Sequence, residues 1–282
     1  MKTNKLLSLY GLKWNPFSPE LPTEALVANP KAKLFFWKVE NLVMDGGFAL
    51  ISGDSGLGKS VVLRMLYERL SSLRDITLAE FSRPQSSLAD FYRELGLLFG
   101  IELRANNRWG GYRALRDKWQ QHIESTLLRP VVLIDEAQEM ETKVLSELRL
   151  LASKHFDSQI ILTVILSGDA RLPEKFTFRE LIPLGNRIRT RLMLERWSVE
   201  ELKSLLTESL QRAGAPKLMT PQLIHTLTEH AMGNPRIMMN MAQELLMLGA
   251  EKECTQLDEQ LYLQAFVQES KPVTRSLKGR AR

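Results

Sequence analysis

A chain of 282 residues that is 44% hydrophobic and 25% charged can bury a large core, and its balance is that of a globular protein rather than a disordered or fibrous one. A formal net charge of +5 leans modestly toward a polyanionic partner. The single cysteine, Cys254, excludes an intramolecular disulfide framework and a cysteine-rich metal site, and His122, His155, His225 and His230 form no ligand cluster, so no zinc is expected. No apolar run reaches the length of a membrane span, and Met1-Lys2-Thr3-Asn4-Lys5 leads into no signal-peptide core. The expectation is a cytoplasmic protein without a membrane partner.

In chain order, residues 1–30 read as irregular and proline-rich, with Gly11 to Pro19 forming an aromatic cluster. Residues 31–45 carry Leu34, Phe35, Val39, Leu42 and Val43 at helical spacing. Phe48-Ala49-Leu50-Ile51 reads as a buried strand, residues 76–81 as a second, and residues 88–99 as a helix with Leu88, Phe91, Leu95 and Leu98 on one face. Residues 112–127 form a further helix, Val131 to Ile134 a strand, residues 145–154 a helix, residues 159–166 a continuous buried strand, and residues 192–194 a last short one. This alternation predicts a parallel sheet sandwiched by helices.

From Ser198 the texture changes. Ser198-Val199-Glu200-Glu201 resembles a capping box, Thr220-Pro221 puts proline at a first helical position, and Asn234-Pro235 opens a helix running to Leu248. The expected organisation is an irregular segment 1–30, an α/β domain 31–197, a small all-helical domain 198–270, and a disordered tail 271–282. That tail carries Lys271, Arg275, Lys278, Arg280 and Arg282 with no acidic residue.

The sharpest local signal lies between the first strand and the helix after it. Gly53, Asp54, Ser55, Gly56, Leu57, Gly58, Lys59 and Ser60 match the pattern G-x-x-x-x-G-K-[ST], and the next residues, including Val62, Leu63, Leu66 and Leu70, build an amphipathic helix. The glycines let successive backbone N–H groups turn toward phosphate oxygens, and the helix N-terminus adds its positive dipole end. Lys59 is placed to meet the β and γ phosphates of a nucleoside triphosphate, and the Ser60 hydroxyl to ligate Mg²⁺. Downstream, Val131-Val132-Leu133-Ile134 runs into Asp135 and Glu136. Carboxylates ending a buried strand need a cation or solvent, so Asp135 suits the Mg²⁺ shell and Glu136 the general base for attacking water.

A P-loop α/β domain followed by a small helical lid, with the acidic strand ending Asp-Glu, resembles the AAA+ ATPases over residues 8–268. The resemblance implies ATP as the nucleotide and places four further residues. Ser167 falls at the sensor-1 position, where such proteins usually carry Asn or Thr. Arg187 and Arg191, in Asn186-Arg187-Ile188-Arg189-Thr190-Arg191, fall where a trans-acting arginine finger is found. Arg236, in Gly233-Asn234-Pro235-Arg236, looks like sensor 2.

Within that superfamily, Gly11-Leu12 with Asn15-Pro16-Phe17, Gly46-Gly47-Phe48 and Asp135-Glu136-Ala137-Gln138 are most similar to two groups. One is the secretion-pathway group typified by ExeA. The other comprises the transposition regulators TnsC, TniB and MuB, which assemble on DNA. The first group usually continues into a membrane span and a peptidoglycan-binding region; the basic tail here favours the second. Resemblance to it implies duplex DNA, a transposase, a target-selecting adaptor protein and further copies of the chain, in a ring or helical filament, as partners, with slow, assembly-coupled hydrolysis. Between Glu102 and Trp119, five cations oppose two carboxylates amid Trp109, Tyr112 and Trp119, which points to Arg104, Arg108, Arg113 and Lys118 as phosphate contacts.

Overall fold

The opening segment is less irregular than its prolines suggest. In the computed structural model, which describes residues 2–103, 107–156 and 158–267, Lys2–Tyr10 form a helix (α1) and Thr23–Ala25 a single 3₁₀ turn. No proline occurs before Pro16, so nothing breaks α1 from within. Contacts divide the chain into two compact units: Ala28–Glu195, and a second in which Met1–Val27 joins the segment from Arg196 onward.

Ala28–Glu195 opens with helix α2 (Pro30–Asp45), capped by the Asn29 side chain, which accepts from the Lys31 N–H, with Pro30 at the first position. Then follow β1 (Gly47–Gly53), α3 (Lys59–Ser71), β2 (Ile76–Phe81), α4 (Leu88–Leu98), α5 (Arg108–Gln121), β3 (Arg129–Ile134), α6 (Thr142–Ala152), β4 (Ser153–Lys154), β5 (Gln159–Ile160), β6 (Thr163–Gly168), α7 (Arg171–Lys175), α8 (Ile182–Gly185) and β7 (Ile188–Leu194). The main sheet has five parallel strands in the order β2-β3-β6-β1-β7, with Ile134 opposite Leu166 and Leu166 opposite Leu50. Its inner strands are buried on both faces, as uninterrupted Val/Ile/Leu runs require, and Phe48, Leu50, Val132, Ile134, Val164 and Leu166 enter one core with Phe91, Leu95, Leu115 and Trp119. Each such side chain contributes about 1.5–3 kcal/mol by leaving water.

The structure departs from the sequence expectation most clearly at three elements. The run 159–166 is not one strand: Gln159–Ile160 pair antiparallel with Ser153–Lys154, because α6 ends at Ala152 and the chain reverses through His155 and Phe156, both at positive φ. Helix α5 starts earlier than Tyr112, since Asn107 caps it by accepting from Gly110 N–H at 2.8 Å, and it gives way after Gln121 to a π-helical turn, His122–Thr126. Strand β7 is seven residues long rather than three, and its burial alternates strictly; outward Arg189, Arg191 and Met193 hide the strand from a reader seeking an apolar run.

The second unit contains α9 (Val199–Arg212), α10 (Pro221–His230), α11 (Pro235–Glu251) and α12 (Glu259–Tyr262). Ser198 and Glu201 make the reciprocal capping box, and Thr220 and Asn234 cap α10 and α11. A lone parallel bridge, Met219 to Leu257, is a strand-like contact absent from the sequence reading. The N-terminal segment is stitched to these helices: Lys13 N–H donates to Ala213 O, Asn15 Nδ2 to Gln243 Oε1 at 2.7 Å, and Arg212 Nη1 to the carbonyls of Glu24 and Leu26. The tail 271–282 lies outside the described residues.

Candidate nucleotide-hydrolysis site

Adjacent strands β3, β6 and β1 deliver Asp135, Ser167 and the P-loop to one carboxyl edge of the sheet, where open α/β sheets build their ligand crevices. Gly56 and Gly58 sit at φ 86° and 99°, which side-chain-bearing residues rarely adopt, and Gly58 is the N-cap of α3. The loop thus curls over the helix start, with Asp54 and Ser55 exposed and Gly56 and Leu57 buried. Lys59 is only 6% exposed, and its ammonium donates to the carbonyls of Gly53 at 2.8 Å and Asp54 at 3.1 Å. A cation is therefore fixed inside the cradle.

Asp135 is the hub of the opposite wall. Its Oδ2 accepts from Ser60 Oγ at 2.8 Å, while Oδ1 accepts from Ser167 Oγ at 2.7 Å and from the Glu136 N–H at 2.9 Å. The exposed Ser60 hydroxyl and this carboxylate are hard oxygen donors within reach of one ion, and a single carboxylate plus a hydroxyl matches the sparse protein ligation that Mg²⁺ prefers. Among the described residues no cluster of three or more His, Cys, Asp or Glu could hold a metal by itself. Glu136 is exposed and left-handed at φ 50°, ψ 36°, a strained conformation for a glutamate, and its carboxylate accepts from Gln138 Nε2.

The remaining expected residues behave differently. Ser167 is fully buried and its hydroxyl donates to Asp135, so it orients the carboxylate that also meets Ser60. Arg187 Nη1 donates to Pro183 O at 2.5 Å and Arg191 Nη2 to Gly185 O at 2.8 Å, which holds both along α8 at the outer edge of the sheet. Arg236 is exposed in the first turn of α11, in the other unit. Two charged residues escaped the sequence reading. Arg171 donates to Asp169 and to Glu139, holding both carboxyls below the usual carboxylate range, and the Lys59 ammonium adds to the effect on Asp169. The signal was present in Gly168-Asp169-Ala170-Arg171, but an Asp two residues before an Arg is common on any surface.

Part of the basic stretch is already engaged within the fold. Arg108 is not an uncommitted cation: its guanidinium donates to Glu147, a carboxylate 4% exposed, which also accepts from the Tyr92 hydroxyl. Burial and this bond push the Tyr92 phenol well above its ordinary range. Arg116 Nη1 donates to the carbonyls of Leu150, Leu151 and Ser153, which the end of α6 leaves unsatisfied. Trp119 is fully buried, edge-on to Phe99. Arg113 is exposed, Lys118 half-buried, and Trp109, 69% exposed, stacks on Tyr112 with ring centroids 5.7 Å apart. Arg104 lies outside the described residues.

This geometry agrees with the comparisons to known proteins. Residues 43–176 match the family model described as "AAA domain". General secretion pathway protein A of Aeromonas hydrophila is 31% identical over 196 residues, which is 68% of this chain and 35% of that protein, so the chain spans about a third of that relative's length. Among solved structures, Cdc6p from Pyrobaculum aerophilum superposes with a TM-score of 0.69 at 12% identity, over 86% of this chain and 67% of that one. The Aeropyrum pernix ORC1 protein in complex with DNA gives 0.66 at 12% identity, over 90% and 68%. Residues 43–176 thus match an AAA domain, within a chain whose fold is the P-loop fold of these solved structures.

Proposed function

We propose that the chain hydrolyses ATP with Mg²⁺ at the P-loop and uses the nucleotide state to assemble on duplex DNA, where it regulates a transposase in target selection. The observation that carries the hydrolysis is the convergence of Ser60, Asp135 and Glu136 beside the Lys59 cradle. Lys59 neutralises phosphate charge, and the loop N–H groups orient the chain of phosphates. Ser60 and Asp135 hold Mg²⁺, which when bound supplies further positive charge to the phosphate oxygens. Glu136 accepts the proton of the attacking water, so that the new P–O bond forms as the bond to the leaving ADP breaks. Arg187 or Arg191 of a neighbouring copy adds charge stabilisation at the transferring group, and the sensor-2 resemblance gives Arg236 a role in nucleotide binding.

The DNA part of the reading is supported by the resemblance to the transposition regulators, by a similarly folded protein solved with DNA, and by exposed Arg113 and Trp109 on α5. Electron microscopy with duplex DNA and a non-hydrolysable ATP analogue tests it: ordered rings or filaments are expected, and their absence while hydrolysis proceeds would overturn the DNA reading. A second reading, a secretion-type assembly ATPase, is favoured by the Aeromonas relative. It expects hydrolysis that duplex DNA neither stimulates nor requires.

A further inference from the structure

Beside Glu136 sits a buried side chain to which neither the motif nor the resemblance gives a role. Gln138 is 3% exposed, in the 3₁₀ turn Ala137–Glu139. Its amide oxygen accepts from the Asp169 N–H at 3.2 Å, just beyond the end of β6, and its amide nitrogen donates to Glu136 Oε2. The orientation is forced. A backbone N–H can only donate, so the amide oxygen must face it, which leaves the NH₂ to meet the carboxylate. The packing is equally fixed: a Cβ on Gly168 would lie 2.5 Å from Gln138 Oε1, so a larger residue there would displace the amide. The turn is pinned from outside by the Lys175 ammonium, which donates to the carbonyls of Gln138 and Met140.

From this geometry we infer that Gln138 is a positioning residue for hydrolysis: it holds the Glu136 carboxylate in its strained left-handed setting and ties it to the Gly168–Asp169 turn at the end of β6. The inference rests on the reading of Glu136 as general base. A carboxylate that must take a proton from water loses rate when it swings freely, because only a narrow range of its rotamers faces the water. Through the same amide, any movement of the β6 end alters the aim of the base. The turn carries Asp169, which Arg171 grips and whose ionised form the Lys59 ammonium also favours, so the anchor of the base lies within electrostatic reach of the phosphate cradle.

The test is a double-mutant cycle. Gln138→Leu removes the donor, and Gln138→Glu keeps the amide's shape while setting a second carboxylate against Glu136. Each is measured alone and on a Glu136→Gln background for kcat, KM and the affinity for a fluorescent ATP analogue, with single-turnover reactions where hydrolysis is slow. In the native background kcat should fall about tenfold, less than the roughly 10²-fold or more expected for loss of the base itself, with KM and analogue affinity within about twofold. On Glu136→Gln neither change should slow hydrolysis further, because the group being positioned is gone. An unchanged kcat in both single variants, a full additional loss on the Glu136→Gln background, or a kcat loss matched by lost affinity would overturn the inference. Should Gln138→Leu fail to fold, the isosteric Gln138→Glu alone decides. If Glu136→Gln itself hydrolyses normally, the general-base reading falls and takes this inference with it; if Glu136→Gln is slow while both Gln138 variants are normal, only this inference falls.

Discussion

The carboxyl edge of the sheet and the surface of α5 both concentrate charge, but the charges are held in opposite ways. At the sheet edge the P-loop and two neighbouring strands bring the groups together: Lys59 is fixed by loop carbonyls at 2.8 and 3.1 Å, and Asp135 by two serine hydroxyls and the Glu136 N–H within 2.9 Å. Their polar atoms converge on a shared space. On α5 the charges are taken up one by one instead: Arg108 by the buried Glu147 carboxylate, Arg116 by the open carbonyls of α6. A motif tied to a turn and a helix start carries its own geometry, whereas a count of cations is silent about which of them the fold has already engaged.

The contrast is sharpened most by the arginines on the outer edge. If Arg187 or Arg191 acts on a neighbouring copy, its replacement by Ala should lower turnover by about 10³ to 10⁵. Mixing either variant with Lys59→Ala should then restore part of the hydrolysis, since one partner supplies the finger and the other the cradle; normal turnover in both single variants would show that they serve only α8. Glu136→Gln comes next, with a fall of about 10² to 10⁴ in kcat and nucleotide affinity retained. Unchanged turnover would remove Glu136 as base and leave its left-handed backbone without a catalytic purpose.

The inner strands were readable because burial on both faces demands continuous apolar runs, and the P-loop because glycine, lysine and serine at fixed spacing have few other uses. Edge strand β7 was mostly hidden, since Arg189 and Arg191 interrupt its pattern on the outward face. The fate of residues 1–27 was invisible for a different reason: their partners, Ala213 and Gln243, are about two hundred residues away. At the site, Asp135 and Glu136 were legible as a pair, but the inward turn of Ser167 and the clamp by Gln138 depend on which strands are neighbours. A local sequence window contains no such information.

Arg108 offers a direct way to break the distinction between the two regions. Its replacement by Ala leaves the buried Glu147 carboxylate with Tyr92 as its side-chain donor among the described residues, which should lower unfolding stability by about 1–2 kcal/mol, between an exposed and a fully buried pair because the arginine is 60% exposed. Chemical denaturation measures this. A variant with native stability but weakened DNA binding would mark Arg108 as a phosphate contact rather than a structural one.

The smallest effect is expected at Arg113 and Lys118, the two described cations of the expected patch that are not engaged in the α6 network. Each phosphate contact that is lost should remove about 0.9 from the slope of log affinity against log salt, so Arg113→Ala with Lys118→Ala should flatten that slope by about 1.8 if both touch the duplex. The loss should be similar on unrelated sequences, because phosphates carry no base identity. Folding should be untouched: Arg113 is exposed, and half-buried Lys118 can give up its charge while its helix stays anchored through Leu115 and Trp119. A slope change near 0.9 would leave one of the two as a contact and point to Arg113, the more exposed. An unaltered slope in a protein that still binds duplex DNA would move the interface off α5, leaving the Trp109–Tyr112 stack as a surface feature without a nucleic-acid partner.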